Sequence, residues 1–142
     1  MKYTEILKQD AVIRRHLHRN RNLLASYTGM IFSINGVYAG NASTGRYLEI
    51  YPNIPSNTAP YMITTDCVIT AISLGTGVNS TGTVGVYKTS DLNNPIASMS
   101  LSDQTLNYVL NQNIFLNSLD KIAYRVSAGT LKKPFITVYV TR

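Results

Sequence analysis

Arg14, Arg15, Arg19 and Arg21 stand within eight residues, with His16 and His18 between them, and form the densest cluster of chemically capable side chains in the chain. Guanidinium groups bind phosphate and carboxylate through paired hydrogen bonds. Such a cluster suits a nucleic-acid backbone or an acidic protein surface, and its plainer use is as the solvated face of a helix. The two histidines, the only ones in the sequence, would share a face on a strand but diverge on a helix. Their arginine neighbours repel a cation, so they read as solvent or partner contacts and not as a metal site.

The other reactive residue types are isolated. Seven acids are spread singly along the chain, whereas glycoside hydrolysis needs a carboxylate pair in a cleft. No Gly-x-Ser-x-Gly occurs, and a Ser/His/Asp triad would have to recruit its histidine from the basic cluster. Gly77 and Gly82 have the spacing of a phosphate loop, but the next residue is Thr83 instead of Lys. A strand follows where a helix would be needed, so the segment reads as a hairpin loop. Cys67 is the single cysteine and lies in an apolar run, which predicts a buried, inert thiol and excludes an intrachain disulfide. A reducing compartment fits that usage. The sequence points away from an enzyme and calls for no cofactor and no metal.

The elements that carry these residues divide near residue 25. Residues 1–25 hold six Lys/Arg against two Asp/Glu, and the remainder holds seven against five. Tyr3, Ile6, Ile13, Leu17 and Leu24 recur at steps of three, four or seven, which predicts an amphipathic helix. In heptad register Asp10 and Asn20 would also fall on the seam, against a regular coiled coil. The same residues also fit a short oligomeric stalk or an arm that orders on a partner. We expect residues 1–28 to form a basic helix or arm and residues 29–142 a β domain. The proposed partner-binding positions of the arm are Ile6, Ile13, Arg14, Arg15, Leu17, Arg19 and Arg21. No apolar run approaches the roughly 18 residues of a membrane span, and Lys8 to Arg21 are too charged for a secretory leader.

Beyond residue 29 the apolar period becomes two. Met30–Ile34 and Val37–Tyr38 flank Asn35-Gly36, the signature of a type I′ hairpin. Further strands are expected at Arg46–Tyr51, Tyr61–Leu74, Thr83–Lys88, Ile96–Leu101, Leu106–Leu116, Lys121–Ser127 and Phe135–Val140. Loops are expected at 40–45, 52–60 and 75–82. Tyr61–Leu74 is apolar on both faces, which predicts a central strand or one at a subunit contact. In Lys121–Ser127, Ile122, Tyr124 and Val126 point inward and Lys121, Ala123 and Arg125 outward. About eight short strands with regular turns predict a jelly-roll-like antiparallel β-sandwich. Charged residues make up 14% of the chain, against about 25% in typical domains, a composition that suits a subunit of an assembly.

From about Tyr47 onward the sequence resembles small β-sandwich domains in virion proteins of tailed bacteriophages: head decoration or cement proteins, head fibres and tail-fibre tips. The resemblance lies in Ile69–Leu74, Gly82–Lys88, Ile96–Leu101, Leu119–Val126 and Gly129–Val140. Where such domains often turn through Gly-Asp, this chain has Leu119-Asp120. The resemblance implies a jelly-roll-like fold, a homo-oligomer, often a trimer, and a place on the virion, with no catalytic residues. The expected role is a capsid decoration, cement or head-fibre protein assembled in the host cytoplasm. Its partners would be copies of itself and the major capsid protein or another virion protein. A receptor- or carbohydrate-binding fibre tip is the first alternative. A neck or tail adaptor, or a nucleic-acid-binding protein using the arm, is the second. The near-neutral β domain disfavours nucleic acid, and no membrane is implied.

Overall fold

Apolar residues crowd Cys67–Leu74 and alternate through Val84–Val86, and a run of mostly small hydroxylated residues and glycines joins the two. In the computed structural model, which describes residues 31–142, both runs belong to one 22-residue strand. The elements in chain order are β1 (Ile31–Val37), β2 (Asn41–Ser43), β3 (Glu49–Tyr51), β4 (Ile54–Pro55), β5 (Tyr61–Met62) and β6 (Cys67–Lys88). They continue with β7 (Ala97–Val109), β8 (Ile114–Leu116), β9 (Lys121–Lys132) and β10 (Phe135–Thr141).

β6 organises the fold. Along one edge it pairs with β8 at Cys67–Ile69 and with β7 from Ile72 to Val86. Its other edge is shared: β10 takes Val68–Gly75 and β9 takes Thr81–Lys88. β1 extends the β10 side, and β2 and β5 extend the β9 side. Every pairing is antiparallel, and the sheet curls into a half-barrel over one core. That core interdigitates Ile69, Ile72 and Leu74 from the first half of β6 with Val84 and Val86 from the second. Ile122, Tyr124 and Val126 of β9 and Ile136, Val138 and Val140 of β10 complete it. The all-β, antiparallel class expected from the sequence is the class observed. Among the described residues, no helix is long and apolar enough to cross a membrane.

Several local expectations are corrected. Asn35-Gly36 is not a hairpin turn: both residues lie inside β1 and pair with Thr137 and Ile136. The Tyr124 ring lies where a Gly36 side chain would be, since a Cβ there would sit 2.4 Å from the ring, and the Tyr124 hydroxyl donates to the Ile34 carbonyl at 2.7 Å. Burial holds that phenol well above the usual tyrosine range. Glycine here serves close packing, not a left-handed turn.

The second correction concerns residues 75–82, which are not a loop but the bend of β6. Register shifts against β7 fall between Gly75 and Ser80 and between Ser80 and Gly82. Backbone groups freed by the bend are met locally: Thr76 Oγ1 and Ser80 Oγ donate to the Val78 carbonyl, and Lys132 N donates to Ser80 Oγ. Third, Ala123 is buried beside Tyr87, not solvent-facing. The segment expected as one strand over Leu106–Leu116 is instead the end of β7, a turn and β8.

Candidate interaction surface

Alternation fixes which residues leave the core. On the β1–β10–β6–β7 layer the outward positions form rows across the sheet. One row runs Val37, Phe135, Gly75, Leu106, and the next runs Asn35, Thr137, Ser73, Tyr108. A third begins Ser33, Tyr139, Ala71. Leu106, Tyr108 and Leu110 are 53%, 61% and 60% exposed, and Tyr139 is 42% exposed. These positions carry no Lys, Arg, Asp or Glu.

The face has relief. Ala71 and Ser73 on β6 are small and form a floor. Tyr139 on β10 makes one wall, and Leu106, Tyr108 and Leu110 on the β7 side make the other. The groove between them has a volume of about 530 Å³. At one end the Phe135 ring lies across Gly75, where an added Cβ would be 2.1 Å from it.

β7 borders the groove, and among the described residues it pairs with β6 alone. An open strand edge invites another strand. Here side chains of the same segment occupy it: Gln104 Nε2 donates to the Leu106 carbonyl at 2.8 Å, and Asn107 Nδ2 to the Ser100 carbonyl at 2.9 Å. Asn107 Oδ1 accepts from Tyr108 N, and Gln112 Nε2 donates to the Leu110 carbonyl at 3.3 Å. The edge is blunted while the face beside it stays open.

A second, polar cleft of about 490 Å³ lies by the chain from β2 to β4, lined by Asn41, Ser43, Thr44, Arg46, Tyr47 and Asn57. The Arg46 guanidinium stands 5.1 Å from the Tyr38 ring centre. Nearby, the Arg125 guanidinium lies over Tyr87 at 4.6 Å and Tyr47 at 5.6 Å, and donates to the Tyr47 hydroxyl and the Leu92 carbonyl. Arg125 therefore ties Tyr47, Tyr87 and Leu92 together on the β9 side, with two of its donors engaged.

Four of the five acids of the described region serve turns. Glu49 accepts from Asn53 N, and Asp66 from Ser118 N. Asp120 accepts from Asn117 N and pairs with Lys88 at 3.1 Å. Asp91 accepts from the Asn94 side chain and Asn93 N, and those hydrogen bonds hold its carboxyl below the usual range. Among the described residues no group of His, Cys, Asp and Glu is placed to hold a metal ion. Cys67 is buried, and that burial pushes its thiol pKa up.

The predicted partner residues Ile6, Ile13, Arg14, Arg15, Leu17, Arg19 and Arg21 lie outside the described residues, as does the expected helix or arm over 1–28. The apolar face is the feature that sequence reasoning missed. Leu106, Tyr108 and Leu110 show strand alternation in the sequence, but nothing there says that this side faces away from the core.

No protein-family model matches the chain, and no curated protein matches it. Among solved structures, one from a study of Bacillus endospore appendages, a family of disulfide-linked pili, is 10% identical with a TM-score of 0.43, over 79% of this chain and 88% of that one. The coat protein of Tobacco streak virus is 14% identical with a TM-score of 0.36, over 79% and 86%. A low-affinity xylan-binding module of Roseburia intestinalis is 12% identical with a TM-score of 0.39, over 79% and 92%. Likenesses this distant carry no argument about what the chain does.

Proposed function

We propose that this protein is a non-catalytic structural subunit, a bacteriophage virion protein that docks on the capsid shell as a decoration, cement or head-fibre protein. The observation that supports it best is the uncharged apolar face with its groove between Tyr139 and Leu106–Leu110. Contiguous exposed apolar area of this kind marks contact with other protein. The arrangement of the acids agrees: each one named above is tied into a turn, and none is paired with another in a cleft. In this reading the β domain packs with other protein through its open face, and the basic segment at residues 1–28 supplies the attachment to the shell. The test is cosedimentation of the full chain with phage capsids that lack it. Saturable binding at a fixed number of copies per shell is the expected result. Absence of binding to capsids, necks and tails alike would remove the virion reading.

The polar cleft favours one second reading, a carbohydrate-binding fibre tip. Its hydroxyl and amide groups beside Tyr47 and Arg46 suit a sugar's mix of hydroxyls and apolar ring faces. Glycan screening of the full chain separates the two readings, because the decoration role requires no glycan.

A further inference from the structure

We infer that the groove of the β1–β10–β6–β7 face is a self-association site, in which two copies pack face to face about a two-fold axis. The inference rests on the structural-subunit reading and names the partner of that same face. It replaces the trimer that the sequence resemblance implied with a contact built from one patch used twice.

The face carries both halves of such a contact. Leu106, Tyr108 and Leu110 form a ridge, and the Ala71–Ser73 floor lies immediately beside it. A two-fold operation sets the ridge of each copy over the floor of the other, because an isologous interface requires one surface to hold both complementary parts. The dimensions agree. β10 and β7 flank β6, so the walls stand two strand spacings apart, about 9.5 Å, which is room for one row of side chains.

Area and charge point the same way. Val37, Leu106, Tyr108, Leu110, Phe135 and Tyr139 are between 42% and 61% exposed. Together they leave on the order of 600 Å² open, judged from the size of such side chains. With the uncharged polar residues between them, the face approaches the roughly 800 Å² per partner of a standard interface. The chain carries a formal charge of +6, so two copies repel over most approaches. This face has no charged residue to add to that repulsion, and nothing on it selects an oppositely charged partner. The occupied backbone edge of β7 disfavours the alternative of joining copies strand to strand.

Sedimentation of the full chain across a concentration series, with capsid cosedimentation alongside, tests this. The expected species has twice the 15.7 kDa chain mass, and added salt does not dissociate it. Tyr108→Glu places a charge in the contact twice and weakens self-association by roughly a hundredfold or more. Ser98→Glu, exposed on the other half of β7, leaves the dimer intact. A thermal melt equal to wild type shows that the variant is folded; if Tyr108→Glu misfolds, Leu110→Lys, beyond the end of β7, carries the same test. A wild-type chain that stays monomeric overturns the inference, as does a dimer or trimer indifferent to these substitutions. So does a monomer whose groove amides exchange slowly because residues 1–28 of the same chain cover them. A monomer that still saturates capsids overturns the two-fold contact and leaves the structural reading standing. A groove-dependent dimer that binds no virion component does the reverse.

Discussion

Gly36→Ala tests the packing at the centre of β1. The added methyl would sit 2.4 and 2.9 Å from two carbons of the Tyr124 ring and 3.1 Å from Ile136 Cγ2. Tyr124 and Ile136 are buried, so neither can swing into solvent. Overpacking of this kind costs about 1–3 kcal/mol. Displacing the ring also breaks the 2.7 Å bond from its hydroxyl to the Ile34 carbonyl, and a buried polar group left unpaired costs about 1–3 kcal/mol more. Replacing glycine within a strand returns about 0.5–1 kcal/mol. The net is a loss of about 1–5 kcal/mol, centred near 3, which lowers the melting temperature by roughly 10 °C in a domain of this size. Urea unfolding followed by circular dichroism measures it. The decisive comparison is the same substitution in a Tyr124→Val background, where the clash is gone and the alanine should be neutral or stabilising. If residues 35 and 36 formed a left-handed turn, alanine would be penalised equally in both backgrounds. Equal penalties, or a penalty within about 0.5 kcal/mol of zero in the wild type, would refute the packing argument.

Three further outcomes are expected. Leu119 is 72% exposed and held at φ 74°, so Leu119→Gly loses little burial, relieves a left-handed strain and should stabilise the fold by about 0.5–1 kcal/mol in the same unfolding assay. Cys67 is 4% exposed with its pKa raised by burial, so a thiol reagent should leave the native protein unmodified and label one cysteine per chain after denaturation; rapid native labelling would contradict its placement. In the arm, Ile13→Asp should abolish capsid attachment and Arg14→Ala only weaken it, because a buried aliphatic side chain is worth about 1.5–3 kcal/mol and an exposed ion pair about 1 kcal/mol or less; cosedimentation of the two variants decides.

The sequence made the fold class legible because strand alternation is a local signal. Ile122, Tyr124 and Val126 point inward as their spacing predicts, and β10 begins at Phe135, where the last strand was expected. What failed were inferences from glycine. Asn35-Gly36 and Gly75–Gly82 carry strong turn chemistry, yet both lie in paired strands, because Tyr124 and Phe135, each distant in sequence, need ring-sized space above Gly36 and Gly75. A residue required by a distant partner cannot be told from one required by its own turn by looking at its neighbours. Leu119 shows the converse: the departure from a Gly-Asp turn is visible in the sequence, and the structure shows its consequence as a leucine in a conformation that glycine would adopt without strain.

The candidate site was hidden for a related reason. Apolar residues on both faces of the first half of β6 predicted a central strand or one at a subunit contact, and those were posed as alternatives. Pairing makes β6 central, so its inward residues need no further explanation. The outward residues of the same layer do need one. Ala71 and Ser73 lie between the Tyr139 wall and the ridge of Leu106, Tyr108 and Leu110, whose members are about half exposed. Strand position explains the residues that face the core, and the proposed contact between copies would cover the uncharged, partly apolar opposite face. The first half of β6 reads as apolar on both faces because an irregularity between Ile69 and Ala71 brings Cys67, Ile69, Ile72 and Leu74 into the same core.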